Sequence, residues 1–354
     1  MVKGRAIRFG AIGCGGAGTH RIRQLANHPM GVEIAAAVDV DPARLDNLEN
    51  VLGTAFARYD TEDGYQRMID ELDLDAVGVF TPHTLHYDHA KYALEKGKHL
   101  LIEKPMVCGT GPSMEIAQLA EEKGVVSVLH YQRHYEPQFI KGRELIRKGI
   151  IGDVTSFYVY MAQDWHGRTW RGDPKYSGGG QVNDSGSHYQ DILLWMTDQL
   201  PRSAAGHVDP YYHGEERPIE INGSFNVELA NGAGGRVLIM GDIIGGFTDD
   251  VRICGDKGML IFYGTEVWFK PIKGEAKSFT AARPKGYPES PCDNFVKLIR
   301  GKARINRVPL IYGARVAMLT DAMLTSAHKK GGQSVVCEDL LKNAGYSLDD
   351  LKVD

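Results

Sequence analysis

The feature that most narrows the fold is a glycine cluster, Gly13-Cys14-Gly15-Gly16-Ala17-Gly18, set directly behind the apolar run IRFGAI. Gly13, Gly15 and Gly18 satisfy G-x-G-x-x-G between an expected strand and an expected helix, with Gly16 inside the same loop. The first glycine permits the tight turn, the second lets a pyrophosphate approach the backbone, and the third lets helix and strand pack closely. The helix N-terminus then offers free N–H groups and a positive dipole end to phosphate. The next apolar run, VEIAAAVDV, closes with Asp39 at the distance from the last glycine where a carboxylate accepts hydrogen bonds from both ribose hydroxyls. Such a carboxylate repels a 2′-phosphate, so NAD is the expected cofactor and NADP the less favoured one. Asp41 followed by Pro42 reads as an N-cap and first helical residue.

The same texture continues to about Leu129. IRFGAI, VEIAAAVDV, AVGVF, HLLIEK and VVSVL read as strands, separated by expected helices at Thr19 to Asn27, Pro42 to Leu52, Thr61 to Leu72, Tyr87 to Glu95 and Pro112 to Lys123. Near-continuous apolar strands between helices mean a parallel sheet covered on both faces. After Gly152 the strands become alternating and aromatic, as in DVTSFYVYMA and GMLIFYGTEVWFKPI, with Asn231-Gly232 as a hairpin turn. The expected fold is therefore α/β: a Rossmann doubly wound parallel sheet over residues 1–129, and over 130–354 a mostly antiparallel sheet with one face covered by helices and the other wet or used for pairing subunits.

At 354 residues and 43% hydrophobic content the chain can bury two ordinary cores. A net charge of -4 with both signs interspersed gives no reason to bind nucleic acid or an anionic membrane, which leaves a small molecule as the expected partner. Five scattered cysteines without a C-x-x-C pair argue against disulfides and zinc. With no apolar run long enough to span a bilayer, a reducing, cytoplasmic setting is expected.

Two further stretches carry chemistry. Glu103-Lys104-Pro105 ends the strand HLLIEK, and the carboxyl ends of such strands face the ligand crevice. There Lys104 suits exchange of a proton or a hydrogen bond with an alcohol, Glu103 would hold its ammonium, and Pro105 would fix the turn. The second stretch, SGGGQVNDSGSHYQD, gives three glycines that let backbone approach a ligand, then Asp184, His188 and Asp191. If a helix starts near Asp184, the spacing of four stacks Asp184 on His188. Trp165, Trp170, His166, Arg168 and Arg171 supply stacking faces and donors for a hydroxyl-rich ligand, or equally pack and pair internally. Tyr131 and Arg133 are candidates for substrate contact. The histidines at 83, 86, 89, 130 and 134 lack the context of a zinc site, and no metal is expected.

GCGGAG, Asp39, the Thr81-Pro82 to His86 loop, EKP and Asp184-x-x-x-His188-x-x-Asp191, in this order, resemble the glucose-fructose oxidoreductase, inositol dehydrogenase and rhizopine catabolism (Gfo/Idh/MocA) family over nearly the whole chain. The resemblance implies that the second part, residues 130–354, is an α/β domain with a large open sheet for substrate binding and oligomerisation. It also implies NAD(P)-dependent oxidoreductase chemistry on sugars or cyclitols, with Lys104, Asp184 and His188 as the catalytic set. It places Thr81, Pro82, His86, Glu103 and Lys104 beside Gly13, Gly15, Gly16, Gly18 and Asp39 around the cofactor. His83 departs from the asparagine often found there. The leading expectation is a dehydrogenase that oxidises a secondary hydroxyl of a sugar, sugar derivative or inositol to a ketone, working as a homodimer or homotetramer. A redox-neutral NAD-dependent glycosidase and a non-catalytic nucleotide-binding regulator are the alternatives.

Overall fold

Short, almost wholly apolar strands need cover on both faces, and the first part of the chain gives them that cover. The computed structural model describes residues 4–353. Strands β1 (Ile7–Ile12), β2 (Val32–Val38), β3 (Ala57–Tyr59), β4 (Ala76–Val79), β5 (His99–Ile102) and β6 (Ser127–Leu129) pair in parallel in the order β3-β2-β1-β4-β5-β6. Helices α1 (Gly16–Ala26), α2 (Pro42–Leu52), α3 (Gly64–Glu71), α4 (His86–Glu95) and α5 (Thr110–Glu122) connect them. Five of the six strands are the expected ones. β3 escapes the reading because it has three residues, two of them exposed.

The chain continues through α6 (Pro137–Arg147), β7 (Val154–Asp164), α7 (Pro174–Ser177) and α8 (Gly186–Thr197). Next come β8 (Pro201–Asp209), a small β9 (Tyr211–Tyr212) and β10 (Glu215–Glu216) ribbon, β11 (Asn222–Leu229), β12 (Gly234–Met240), β13 (Asp242–Gly255), β14 (Gly258–Tyr263), β15 (Glu266–Pro271) and β16 (Lys277–Thr280). Helices α9 (Pro291–Ile299) and α10 (Leu310–Lys329), strand β17 (Val335–Val336) and α11 (Cys337–Asn343) complete the elements. Nine strands form one sheet in the order β16-β15-β14-β13-β7-β12-β11-β8-β17, antiparallel except for the β12 and β7 pair. Asn231 and Gly232 make the β11–β12 turn, where the Asn231 side chain accepts the Ala233 N–H at 3.0 Å.

Period-two burial marks this sheet's covered face: Phe157, Val159 and Met161 on β7, Phe225 and Val227 on β11, Leu260 and Phe262 on β14. Helix α6 packs on β14 and β15, and α8 on β7. The chain divides into two units. The first takes the residues through Cys108, Pro112–Tyr131 and Pro288–Leu310; the second takes Gly109–Gly111, Gln132–Tyr287 and the residues from Ile311 onward. A single cut after Leu129 is therefore replaced by an exchange of segments. The reason lies in α9, whose buried Cys292, Phe295, Val296 and Ile299 join the core of β1 and α1, with the Phe295 ring edge-on to Phe9 at 6.5 Å. Among the described residues no helix is long and apolar enough to cross a membrane.

Candidate active site

In the first unit the glycines behave as their spacing requires. Gly13 has φ of 92°, and a Cβ there would lie 2.7 Å from the Phe80 carbonyl group, while one on Gly18 would lie 2.2 Å from the Gly13 oxygen. Helix α1 starts at Gly16, three residues before the expected Thr19, because glycine's poor helix propensity hides the first turn from the sequence. No side chain caps it and no acidic residue occupies its first turn, so its leading N–H groups remain suited to an anion. Asp39 is buried just past β2. Its Oδ2 accepts the Cys14 N–H at 2.8 Å and its Oδ1 the Asp41 N–H at 3.1 Å, which ties the acidic residue to the glycine loop. Asp41 caps α2 through Ala43, as expected. The sequence reading missed Arg44, whose Nη1 lies 3.9 Å from Asp39 and close to Gly15; only the fold of α2 brings it there. A cradle of bare backbone, free helix amides and a ribose-type acid fits a dinucleotide.

Two loops at the carboxyl ends of β4 and β5 are fastened by one histidine. His86 Nε2 lies 2.9 Å from the Thr81 carbonyl oxygen, and its Nδ1 lies 2.9 Å from that of Pro105 and 3.2 Å from that of Met106. Burial pushes its pKa down against the pull of these carbonyls. The ring is 0% exposed, so His86 does not line the cofactor as expected; it bridges the Thr81 loop to the Lys104 loop. Thr81 Oγ1 is also 3.1 Å from His89 Nδ1. The peptide between Lys104 and Pro105 is cis.

Glu103 needs a correction as well. Its carboxylate accepts from Arg21 Nε on α1 at 2.8 Å, while the link to Lys104 is through that residue's backbone N–H at 3.1 Å. Burial alone would push this carboxyl up, but His130 and the Arg21 guanidinium outweigh it and hold it down to about 2. Burial holds the His130 imidazole down to about 4, so Arg21 is the partner that stays cationic at neutral pH. Cys292 stands 3.9 Å beyond His130, with burial pushing its thiol up to about 12; this cysteine-histidine-glutamate line is a buried support, not a nucleophile.

In the second unit α8 begins at Gly186, so Asp184 precedes the helix and does not stack on His188 by helical spacing. It sits in a turn whose backbone bonds run from the Asp184 N–H to the Gly180 carbonyl and from the Gly186 N–H to the Gln181 carbonyl, both at 2.9 Å. Its Oδ2 accepts from Trp165 Nε1 at 3.0 Å and from Arg171 Nε at 2.9 Å. Asp184 and His188 are both buried, at 3% and 8% exposure. Gly180 does not serve ligand approach, since a Cβ there would fall 1.8 Å from the Glu220 carbonyl oxygen. Asp191 pairs at 2.7 Å with His134, which the sequence offers only as one of several histidines without the context of a zinc site. Burial raises the Asp191 pKa against that partner.

The expected substrate contacts divide. Trp165 is buried and its indole N–H is used on Asp184, so it supports that carboxylate and offers no open stacking face. Tyr131 is 0% exposed, which withdraws it from substrate. The Arg133 guanidinium donates to the Tyr189 hydroxyl at 2.8 Å, lies 4.4 Å over that ring and pairs with Glu136 at 3.4 Å, so its charge is already engaged. His166 and Arg168 stay partly open, the former with its Nε2 3.4 Å from Asp164 and its ring 4.8 Å from Tyr212. Tyr212, which donates to Asp164 at 2.5 Å, was not foreseen.

These two units define an oxidoreductase built on an NAD-binding Rossmann fold: residues 7–131 match the model described as "Oxidoreductase family, NAD-binding Rossmann fold", and residues 139–261 match the GFO/IDH/MocA C-terminal domain. The chain belongs to the GFO/IDH/MocA family. It is similar to the rhizopine catabolism protein MocA of Rhizobium meliloti, with 25% identity over 351 residues, 97% of this chain and 99% of that protein. It is also similar to the scyllo-inositol 2-dehydrogenase (NADP(+)) IolW of Bacillus subtilis, with 26% identity over 196 residues, covering 54% of this chain and 53% of that one. Among solved structures, a levoglucosan dehydrogenase in complex with NADH superimposes with a TM-score of 0.80 at 20% identity, covering 94% of this chain and 99% of the other, a likeness of fold.

Proposed function

We infer that the protein is an NAD-dependent dehydrogenase that oxidises a secondary hydroxyl of a sugar, sugar derivative or inositol to a ketone. The observation that carries this reading is the built acid-base segment of the second unit, where Trp165 and Arg171 fix the Asp184 carboxylate four residues ahead of His188, in a chain whose first unit is a dinucleotide-binding domain. The substrate class is supported by the relatives, whose names include an inositol dehydrogenase and a levoglucosan dehydrogenase.

The dinucleotide supplies the hydride acceptor. Gly13, Gly15, Gly16, Gly18 and the α1 amides hold its pyrophosphate, Asp39 takes the ribose hydroxyls, and Thr81 and Pro82 bound the reactive end. His188 removes the proton of the substrate hydroxyl. The Lys104 ammonium stabilises the negative charge that develops on that oxygen. Asp184 orients His188 or a second substrate hydroxyl, and His166 and Arg168 supply outer donors. The Asp39 carboxylate favours NAD, and Arg44 beside it is the group an NADP-binding variant would exploit.

The test is NADH formation, read by nicotinamide absorbance, with monosaccharides, inositols, sugar acids and glycosides as hydride donors. Turnover with one class and its loss by about 10²- to 10⁴-fold in Lys104→Ala and His188→Ala, with NAD affinity kept, is expected. Full activity in either variant contradicts the assigned roles, and NADP binding tighter than NAD contradicts that of Asp39. Assembly into a dimer or tetramer is part of the same reading, and sedimentation measures it directly.

A further inference from the structure

Glu220, just ahead of β11, is 5% exposed and no cation pairs with it among the described residues. Its Oε1 accepts the Gly180 N–H at 2.6 Å, and its backbone oxygen accepts the next N–H, that of Gln181, at 3.0 Å. Two consecutive amides of one loop therefore end on one residue, and the loop lies against it so closely that only glycine fits at position 180. The same two loop residues pass the constraint on. The Gly180 carbonyl holds the Asp184 N–H and the Gln181 carbonyl holds that of Gly186, where the helix carrying His188 begins.

The geometry points to Glu220 as a positioning residue for Asp184 and His188: its side chain and main chain together set the 178–186 turn from which both are presented. The inference rests on the catalytic reading of those two residues. A buried carboxyl held only by backbone N–H groups is costly to keep for packing alone, and a short bond to an amide is what a carboxylate accepts best. The backbone is permissive at the start of this loop, where Gly178 and Gly179 adopt φ of 64° and 141°, and Glu220 adds an anchor from outside it to the loop's own tie, the Asn183 amide donating to the Ser177 carbonyl at 3.2 Å.

The experiment compares the full-length NAD-bound protein with Glu220→Ala and Glu220→Gln by hydrogen–deuterium exchange, and by NADH formation with myo-inositol, D-glucose and D-gluconate. In Glu220→Ala, exchange over residues 178–188 should rise about 10-fold or more while β1 and α1 exchange as in the parent. The kcat should fall about 10- to 100-fold with the KM for NAD within about 2-fold. Glutamine keeps an acceptor oxygen at the same reach and should restore both. Unchanged exchange at 178–188 in Glu220→Ala, or a glutamine variant as defective as alanine, overturns the assignment. Should Glu220→Ala not fold, Glu220→Asp withdraws the carboxyl by one methylene and must move exchange in the same direction. His188→Ala run beside them separates the two readings: full activity there removes the catalytic role of His188, whereas an inactive His188→Ala with a parent-like Glu220→Ala removes only the role of Glu220.

Discussion

Glu103 and Glu220 are almost equally buried, yet their carboxyl groups are shifted in opposite directions, down to about 2 and up to about 7. Glu103 faces the Arg21 guanidinium, and Glu220 faces only backbone amides. Burial raises both; the partner decides the outcome. The first unit fixes its acidic residue beside Lys104 with a charge pair that stabilises the fold, and the second fixes the Asp184 turn with an acid that costs stability when ionised.

The largest effect should come from breaking the charge pair. Glu103→Gln leaves the partly buried Arg21 without its carboxylate, and a loss of about 3 kcal/mol in urea unfolding at pH 7 is expected; a loss below about 1 kcal/mol would mean that solvent already screens the pair. This contribution has a defined pH window. With its folded pKa depressed, Glu103 stabilises fully above its unfolded value near 4.5, and the stabilisation is lost as pH falls toward 2, so parent and variant should converge in acid.

Glu220 should do the reverse. Its folded pKa is raised, so ionisation destabilises the native state progressively as pH rises from about 4.5 to about 7. Glu220→Gln should therefore unfold at higher urea than the parent at pH 8, by up to about 3 kcal/mol, and with little difference at pH 4. Equal stability at both pH values would show that the carboxyl is hydrated in the native state.

Smaller effects test the neighbours of the cofactor loop. Asp39→Asn should weaken NAD binding and narrow the preference over NADP by about 10-fold, or about 1.4 kcal/mol, in titrations of both nucleotides. Asp41→Ala, which removes the α2 cap and the exposed 3.4 Å pair with Arg44, should cost about 1 kcal/mol in thermal unfolding.

What the sequence revealed follows the range of the interactions. Gly13 to Gly18, Asp39 and Asp41 were legible because a strand, a turn and a helix start fix their geometry within a few dozen residues. The parallel sheet was legible for the same reason, apart from the short edge strand β3. Arg21 with Glu103, His134 with Asp191 and Gly180 with Glu220 lie 82, 57 and 40 residues apart, and no local pattern announces such pairs. Tyr131 and Arg133 misled because residue type alone does not tell a buried or engaged side chain from an available one. Asp184 misled because a spacing of four was read as helix where the chain makes a turn.

The return of α9 to the first unit also bears on how the protein is made. Translation passes Tyr131 with the parallel sheet's strands complete, but Phe295 and Ile299 of that core emerge only after the Gln132–Tyr287 segment of the second unit, about 10–30 s later at ordinary elongation rates. Until then the nascent dinucleotide domain presents an uncovered apolar face beside β1 and α1, so the interval in which it needs protection from aggregation is set by the length of the segment inserted into it.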